Sequence, residues 1–167
     1  MGKLAAAPPH STRSSTHTEA VLKPHHPNTA ITLNNLALLH QAMGNHAAAL
    51  TLATRALKIK EAVQRPHHPN TATSLNNLAT LHRALGNHAA ALPLCTRALK
   101  INEAVLGPHH PSTAIALNNL ALLHQAMGNH AAALPLATRA LKIKESVLGP
   151  DHPNTATSLN NLATLHR

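Results

Sequence analysis

The chain repeats itself every 42 residues, and this periodicity constrains its fold more than any other feature. The motif His-Pro-Asn/Ser-Thr-Ala recurs, and its prolines mark the register at Pro27, Pro69, Pro111 and Pro153. A Leu-Asn-Asn-Leu-Ala block follows each motif, beginning at Leu33 in the first copy, and the fourth copy is cut short at Arg167. Self-similarity at such a period is typical of arrays in which neighbouring copies stack to bury one continuous core.

Each repeat reads as a first helix, a tight turn, a second helix and a loop. Proline suits the first position of a helix, so we expect the first helix to run from Pro27 to about Met43. Gly44 ends it, and Asn45 is predicted to cap a second helix that reaches about Val63. One face of the first helix recurs at helical spacing in Leu33, Leu36, Ala37 and His40. The sequence therefore predicts an all-α fold, an α-solenoid of antiparallel helix pairs.

The repeat register divides the chain into five segments. Residues 1–22 align without gaps with the segment that starts at Met43 and contains the second helix, although the Pro8-Pro9 pair weakens their helical character. The predicted segments are a weakly ordered, degenerate partial repeat at 1–26, repeats at 27–68, 69–110 and 111–152, and the first helix of a truncated repeat at 153–167. Repeats 1 and 3 resemble each other most, which indicates an 84-residue duplication unit.

Composition excludes several classes of function. The chain has no aromatic residue, and 14 lysines and arginines outweigh five acidic residues to give a net charge of +9. Because these cations are spread evenly, we do not expect nucleic acid to be the main partner. No apolar run could span a membrane and no signal peptide is recognisable, so we predict a cytoplasmic protein without a membrane partner. The single cysteine, Cys95, fits a reducing compartment.

Candidate catalytic and metal sites are weak. Cys95 lies where the other repeats have alanine, so we interpret it as a small buried residue. Paired acids and a glycine-rich phosphate loop are not recognisable in the sequence, and we therefore predict a protein that is not an enzyme and needs no cofactor. The 16 histidines invite a metal interpretation, but their spacing lacks the cysteine partners of structural zinc sites, so we predict no metal.

The pattern HPxTAxxLNNLAxL, followed by glycine, alanine and RALxI, resembles the tetratricopeptide repeats of kinesin light chain over residues 27–167. The resemblance implies a right-handed superhelix whose first helices line a concave groove that takes extended peptides. The family usually has tyrosine where this chain has His40, His82 and His124. We therefore interpret these histidines as partly buried replacements at a contact between helices.

The candidate peptide-binding residues lie on the predicted groove side of the first helices. If the apolar face packs on the second helix, the first asparagine of each Asn-Asn pair turns toward the groove, and its amide can bind a peptide backbone. The second asparagine could instead satisfy backbone groups between helices. Arginine two helical turns further on suits an acidic ligand. The predicted site comprises Asn34, Gln41, Asn76, Arg83, Asn118, Gln125 and Asn160.

The sequence thus favours a scaffold that binds extended peptides, acidic ones among them, or helices of partner proteins. Two alternatives stay open at this point. The positive charge would suit an RNA- or polyanion-binding repeat protein, and the aromatic-free core would suit a non-functional fragment of a longer repeat protein.

Overall fold

The computed structural model describes residues 26–64 and 67–165, and seven helices make up the regular structure of these residues. The described part of the chain contains no β-strand. The predicted partial repeat at the N-terminus lies outside it. The helices are α1 (Pro27–Ala42), α2 (His46–Val63), α3 (Pro69–Ala84), α4 (His88–Val105), α5 (Pro111–Ala126), α6 (His130–Leu148) and α7 (Pro153–Leu165).

The chain forms two compact units that divide between Pro66 and His67. Unit 1 contains the helix pair α1 and α2, and unit 2 contains α3 to α7. The four predicted repeat starts coincide with the first residues of α1, α3, α5 and α7.

A histidine caps the first helix of every repeat. Proline occupies the first helical position, as predicted, and the imidazole Nδ1 of the preceding histidine accepts a hydrogen bond from the backbone N–H two residues further on. The distances are 3.2 Å at His26, 3.1 Å at His68, 3.0 Å at His110 and 3.1 Å at His152. These bonds satisfy one backbone donor that every helix N-terminus leaves open. The sequence analysis had identified the proline but not the cap.

Glycine ends each fully paired first helix, as the sequence predicts. Gly44, Gly86 and Gly128 have φ angles of 76°, 74° and 75°, a left-handed conformation that a residue with a Cβ atom adopts only at a cost. The predicted asparagine caps are wrong in two of three second helices. Asn45 Oδ1 accepts from the Ala48 N–H at 3.5 Å, whereas the Asn87 and Asn129 side chains make no cap bond. The reason is local: in α4 and α6 the asparagine backbone carbonyl accepts the N–H of Ala90 or Ala132, the position whose N–H bonds to the Asn45 side chain in α2.

Leucines of the first helices pack against alanines of the second helices. In unit 1 the buried core combines Ala30, Leu33, Ala56 and Ile59, and in unit 2 it combines Ala114, Leu117, Ala140 and Ile143. The predicted inner face of the first helix is confirmed, because Leu33, Leu36 and Ala37 are all buried. Small alanines let the two backbones approach closely, so a core without aromatic residues can still be continuous.

In unit 2 the helices lie closer together on one side than on the other. Each helix packs on the next, and the first helices also contact one another, α3 with α5 and α5 with α7. Among the described residues of this unit, the backbones of the second helices α4 and α6 do not approach each other. The row of first helices therefore lies on the inner side of the curve, and the second helices lie on its outer side.

Candidate functional site

The inner side of unit 2 carries a continuous surface, which we call the first-helix face. Residues at i, i+3, i+7 and i+10 lie on one side of a helix, so each first helix contributes the same repeat positions. The face consists of Thr73, Asn76, Thr80 and Arg83 on α3, Ile115, Asn118, Leu122 and Gln125 on α5, and Thr157, Asn160 and Thr164 on α7.

Side-chain hydrogen bonds join neighbouring helices across this face. Asn161 Nδ2 donates to Asn118 Oδ1 at 3.1 Å, and Gln125 Nε2 donates to Thr164 Oγ1 at 3.0 Å. The Thr164 hydroxyl in turn donates to the Asn161 carbonyl at 2.7 Å. These bonds fix the relative position of α5 and α7 by polar contacts, and the Asn118 amide uses its acceptor in them rather than its donors.

The structure brings five of the seven predicted site residues together. Asn76, Arg83, Asn118, Gln125 and Asn160 lie on the first-helix face of unit 2, whereas Asn34 and Gln41 lie on α1 in unit 1. Their exposure differs along the array: Asn34 and Asn76 are only 6% exposed, Asn160 is exposed, and Gln41, Arg83, Asn118 and Gln125 are half-buried.

Asn76 is thus less accessible than a free groove residue, because the neighbouring first helix α5 packs alongside α3. Its amide oxygen is buried and has no hydrogen-bond partner in the described part of the chain. The second asparagine of the pair is exposed at Asn35 and half-buried at Asn77, Asn119 and Asn161, and Asn161 bonds to the adjacent helix. This bond joins two side chains, whereas the sequence predicts that the second asparagine satisfies backbone groups between helices.

The chemistry of the face alternates from helix to helix. Ile115 on α5 is 52% exposed, and its equivalents on α3 and α7 are the exposed residues Thr73 and Thr157. Arg83 supplies a positive charge at the end of α3 and lies close enough to Cys95 to influence its ionisation. The face therefore offers an apolar centre, hydroxyl-bearing flanks and one cation.

Cys95 does not have the properties of a nucleophile. It is 2% exposed, and burial raises the pKa of its thiol to about 11, an effect that the Arg83 charge only partly opposes. Within residues 26–64 and 67–165, no three His, Cys, Asp or Glu side chains come together in a way that could hold a metal ion. Each described helix is too short or too polar to cross a bilayer.

The histidines at the predicted helix contacts are at least partly buried, as expected. His40 is 8% exposed, and His82 and His124 are half-buried. Their Nδ1 atoms are buried and make no hydrogen bond to any part of the chain that the structure describes. The imidazoles thus fill space in the core but leave one polar atom of each ring unsatisfied.

The structure also shows contacts at the boundaries between repeats that the sequence analysis missed. Asn102 Nδ2 donates to the Ser112 carbonyl at 2.9 Å, and Lys144 Nζ donates to Ser158 Oγ at 2.8 Å. On the outer side, an Arg139–Glu103 ion pair of 2.6 Å bridges α6 and α4. A signal for the first two contacts was present in the sequence, because the residue types at these positions change together from one repeat boundary to the next.

Comparisons with known proteins identify the fold. The tetratricopeptide repeat family profile matches residues 1–62, 55–94, 70–146 and 119–167. No curated protein matches the chain. A crystal structure of nearly identical TPR-like repeats of a putative kinesin light chain from Podosopora anserina is 26% identical, covering 93% of this chain and 74% of that chain with a TM-score of 0.76.

Two further structures support the fold alone. BtubC (BKLC) from P. vanneervenii is 23% identical and has a TM-score of 0.81, with 93% of this chain and 62% of that chain covered. The apo form of RapI is 17% identical and has a TM-score of 0.74, with 93% of this chain and 41% of that chain covered. The predicted all-α solenoid and the resemblance to kinesin light chain repeats are both confirmed, and the chain belongs to the tetratricopeptide repeat family.

Proposed function

We propose that this protein is a non-catalytic scaffold that binds an extended peptide segment of a partner protein on the first-helix face. The observation that carries the proposal is the row of first helices on the inner side of unit 2. This row presents the exposed Ile115 side chain next to the Asn118 amide and within a surface that hydrogen bonds hold in place. A preorganised surface of this kind binds without first having to order its own side chains.

The ligand that best fits this face combines an apolar side chain with an acidic one. Ile115 and Leu122 offer an apolar centre on α5, and Arg83 offers a guanidinium on the adjacent α3. Arginine pairs with carboxylates through two parallel hydrogen bonds, so an acidic residue of the ligand would set its direction. The asparagine amides add contacts to the peptide backbone that do not depend on its sequence. Binding in the cytoplasm is part of this proposal.

The test is selection of linear peptides from a random phage-displayed library on the full chain, followed by affinity measurements on variants. Asn118→Ala and Arg83→Ala should each weaken the selected peptides about 2–10-fold, because each removes about one hydrogen bond or ion pair. Lys142→Ala serves as the matched control, since Lys142 is exposed on the second helix α6. Circular dichroism shows that each variant keeps its helix content.

Two results would contradict the proposal. Recovery of no specific peptide would remove the basis for a groove ligand. An equal loss of affinity in Lys142→Ala would indicate a diffuse electrostatic surface instead.

A polyanion-binding function is the second candidate, and the outer side of the helices favours it. Three shallow hollows of similar size, about 450, 420 and 480 Å³, lie on α2, α4 and α6. Each is lined by leucine, threonine, arginine and lysine, and those on α4 and α6 also by proline. The Arg139–Glu103 ion pair neutralises part of this charge, which is why we prefer the peptide proposal. Salt titration separates the two candidates, because release of counterions gives nucleic-acid binding a steep dependence on salt concentration.

A further inference from the structure

The boundaries between repeats in unit 2 share one constant contact. At the boundary between repeats 2 and 3, the Thr113 hydroxyl donates to the Gly107 carbonyl at 2.8 Å. At the next boundary, the Thr155 hydroxyl donates to the Gly149 carbonyl at 2.9 Å. Both threonines are fully buried, so this contact anchors repeats 3 and 4 in the same way and cannot distinguish one of these two repeats from the other.

A second contact differs between the two boundaries. Asn102 on α4 donates to the Ser112 carbonyl at 2.9 Å. Lys144 occupies the same repeat position on α6 and donates to the equivalent carbonyl, that of Asn154, at 3.3 Å. The longer lysine also reaches the Ser158 hydroxyl at 2.8 Å, and the residue equivalent to Ser158 at the other boundary is Ala116.

The first-helix side of the same boundaries shows a matched difference. Gln125 donates to the Thr164 hydroxyl at 3.0 Å between repeats 3 and 4. At the corresponding positions between repeats 2 and 3, the residues are Arg83 and Leu122, and leucine cannot accept such a bond. The two boundaries therefore differ at two separate pairs of positions, and within each pair both residues change from one boundary to the next.

The sequence of the first repeat boundary follows the same rule. Lys60 and Ser74 stand at the positions of Lys144 and Ser158, and Gln41 and Thr80 stand at the positions of Gln125 and Thr164. The residue types at these positions thus alternate along the sequence: lysine and serine, then asparagine and alanine, then lysine and serine again.

We propose that these residues form two non-interchangeable junctions, so that an odd-numbered repeat accepts only an even-numbered repeat as its C-terminal neighbour, and the reverse. The partner of each junction surface is a repeat of the other type, supplied by the same chain or by a second copy of it. If two repeats pair one 42-residue unit out of register, their junction residues no longer match, so the alternation opposes this pairing. Pairing that is out of register by the 84-residue duplication unit keeps the residues matched and is tolerated.

The physical basis is the cost of an unmatched polar group in a buried place. Asparagine opposite Ser158, which is 2% exposed, would be too short to bond to its hydroxyl. Lysine opposite Ala116, which is fully buried, would meet a methyl group in place of its second acceptor. Burial already lowers the pKa of Lys144, which is consistent with an ammonium group that depends on its few acceptors. Near-identical repeats need such a device because exchange and misassembly of elements are characteristic failures of repeat proteins.

The first test is a double-mutant cycle on the full chain. Lys144→Asn and Ser158→Ala are made singly and together, and thermal unfolding is followed by circular dichroism. We expect Lys144→Asn alone to lower the melting temperature by about 2–4 °C and the double variant to recover most of this loss, because it recreates the asparagine–alanine junction. Additive effects of the two substitutions would overturn the proposal. If Lys144→Asn does not fold, the reciprocal cycle of Asn102→Lys and Ala116→Ser decides in the same way.

The second test measures selectivity itself. The combined variant Arg83→Gln, Asn102→Lys, Ala116→Ser and Leu122→Thr makes all boundaries of one type while keeping every junction matched. After refolding from denaturant, it should form a larger dimer fraction than the original chain on size-exclusion chromatography, because displaced pairing is no longer penalised. A dimer fraction equal to that of the original chain would refute the selectivity. Because Arg83 and Leu122 also lie on the first-helix face, this variant is used only to measure the dimer fraction, and the phage selection tests peptide binding separately on the original chain.

Discussion

The histidine caps lead to a direct prediction for His110. Its Nδ1 accepts the Ser112 N–H at 3.0 Å at the start of α5, the helix on which α3, α4, α6 and α7 all pack. The substitution His110→Ala removes this acceptor and leaves the backbone donor without a protein partner. Loss of an N-cap costs about 0.5–2 kcal/mol, typically about 1 kcal/mol. For a chain of this length, that corresponds to a fall of about 2–4 °C in melting temperature.

Thermal and urea unfolding followed by circular dichroism measure this loss, and the chain supplies its own control. His109 is the adjacent residue, is exposed and carries the same side chain, so His109→Ala changes composition identically without touching the cap. His110→Asn should restore most of the stability, because asparagine is among the best N-cap residues. Equal melting temperatures for His109→Ala and His110→Ala would refute the argument that the imidazole acts as a cap.

Three further predictions concern stability. Burial raises the pKa of Cys95 from 9.0 to about 11, so the unfolded chain releases this proton first as pH rises. The free energy of unfolding of the original protein should therefore fall by on the order of 2 kcal/mol between these pH values. Urea unfolding of Cys95→Ala should lack this part of the fall, and a pH profile unchanged by the substitution would contradict the prediction. Gly128 has a φ of 75°, so Gly128→Ala should cost about 1–2 kcal/mol in thermal unfolding and Gly128→Asn clearly less, because asparagine tolerates this conformation. His124→Tyr should raise the melting temperature by about 2–4 °C, since it replaces a ring with a buried, unsatisfied Nδ1, and a lower value would show that the site cannot accommodate the larger ring.

Periodicity and chain punctuation were sufficient to predict the helices. Proline and glycine act through their own backbone geometry, so Pro27 and Gly44 mark helix ends in any context. The caps were harder to predict because they depend on side-chain placement. Histidine is not a typical N-cap residue, so His26 and its equivalents read as loop residues, whereas Asn87 is typical of a cap and yet makes no cap bond.

The sequence was sufficient to predict which side of the helices carries the candidate face, but not how deeply its residues are buried. Helical phase places Asn76 and Asn118 on the same side of their helices, which the sequence shows. Their burial depends on how closely neighbouring first helices approach, which is a property of the packed array. The bond from Lys144 to Ser158 joins residues of two different repeats, so a pattern within one repeat could not reveal it.

The ion pair between Arg139 and Glu103 has a mechanical consequence for unit 2. On the inner side, helices touch along their backbones, but on the outer side one long side chain spans the gap to Glu103 at 2.6 Å and to the Pro108 carbonyl at 3.4 Å. This link can lengthen because the arginine side chain is flexible, whereas the first helices stay in contact on the inner side. Dissolved salt weakens a partly exposed ion pair, so the bending stiffness of the array falls as ionic strength rises. We therefore expect added salt to loosen the outer side of unit 2 while the hydrogen bonds between α5 and α7 keep the first-helix face in place.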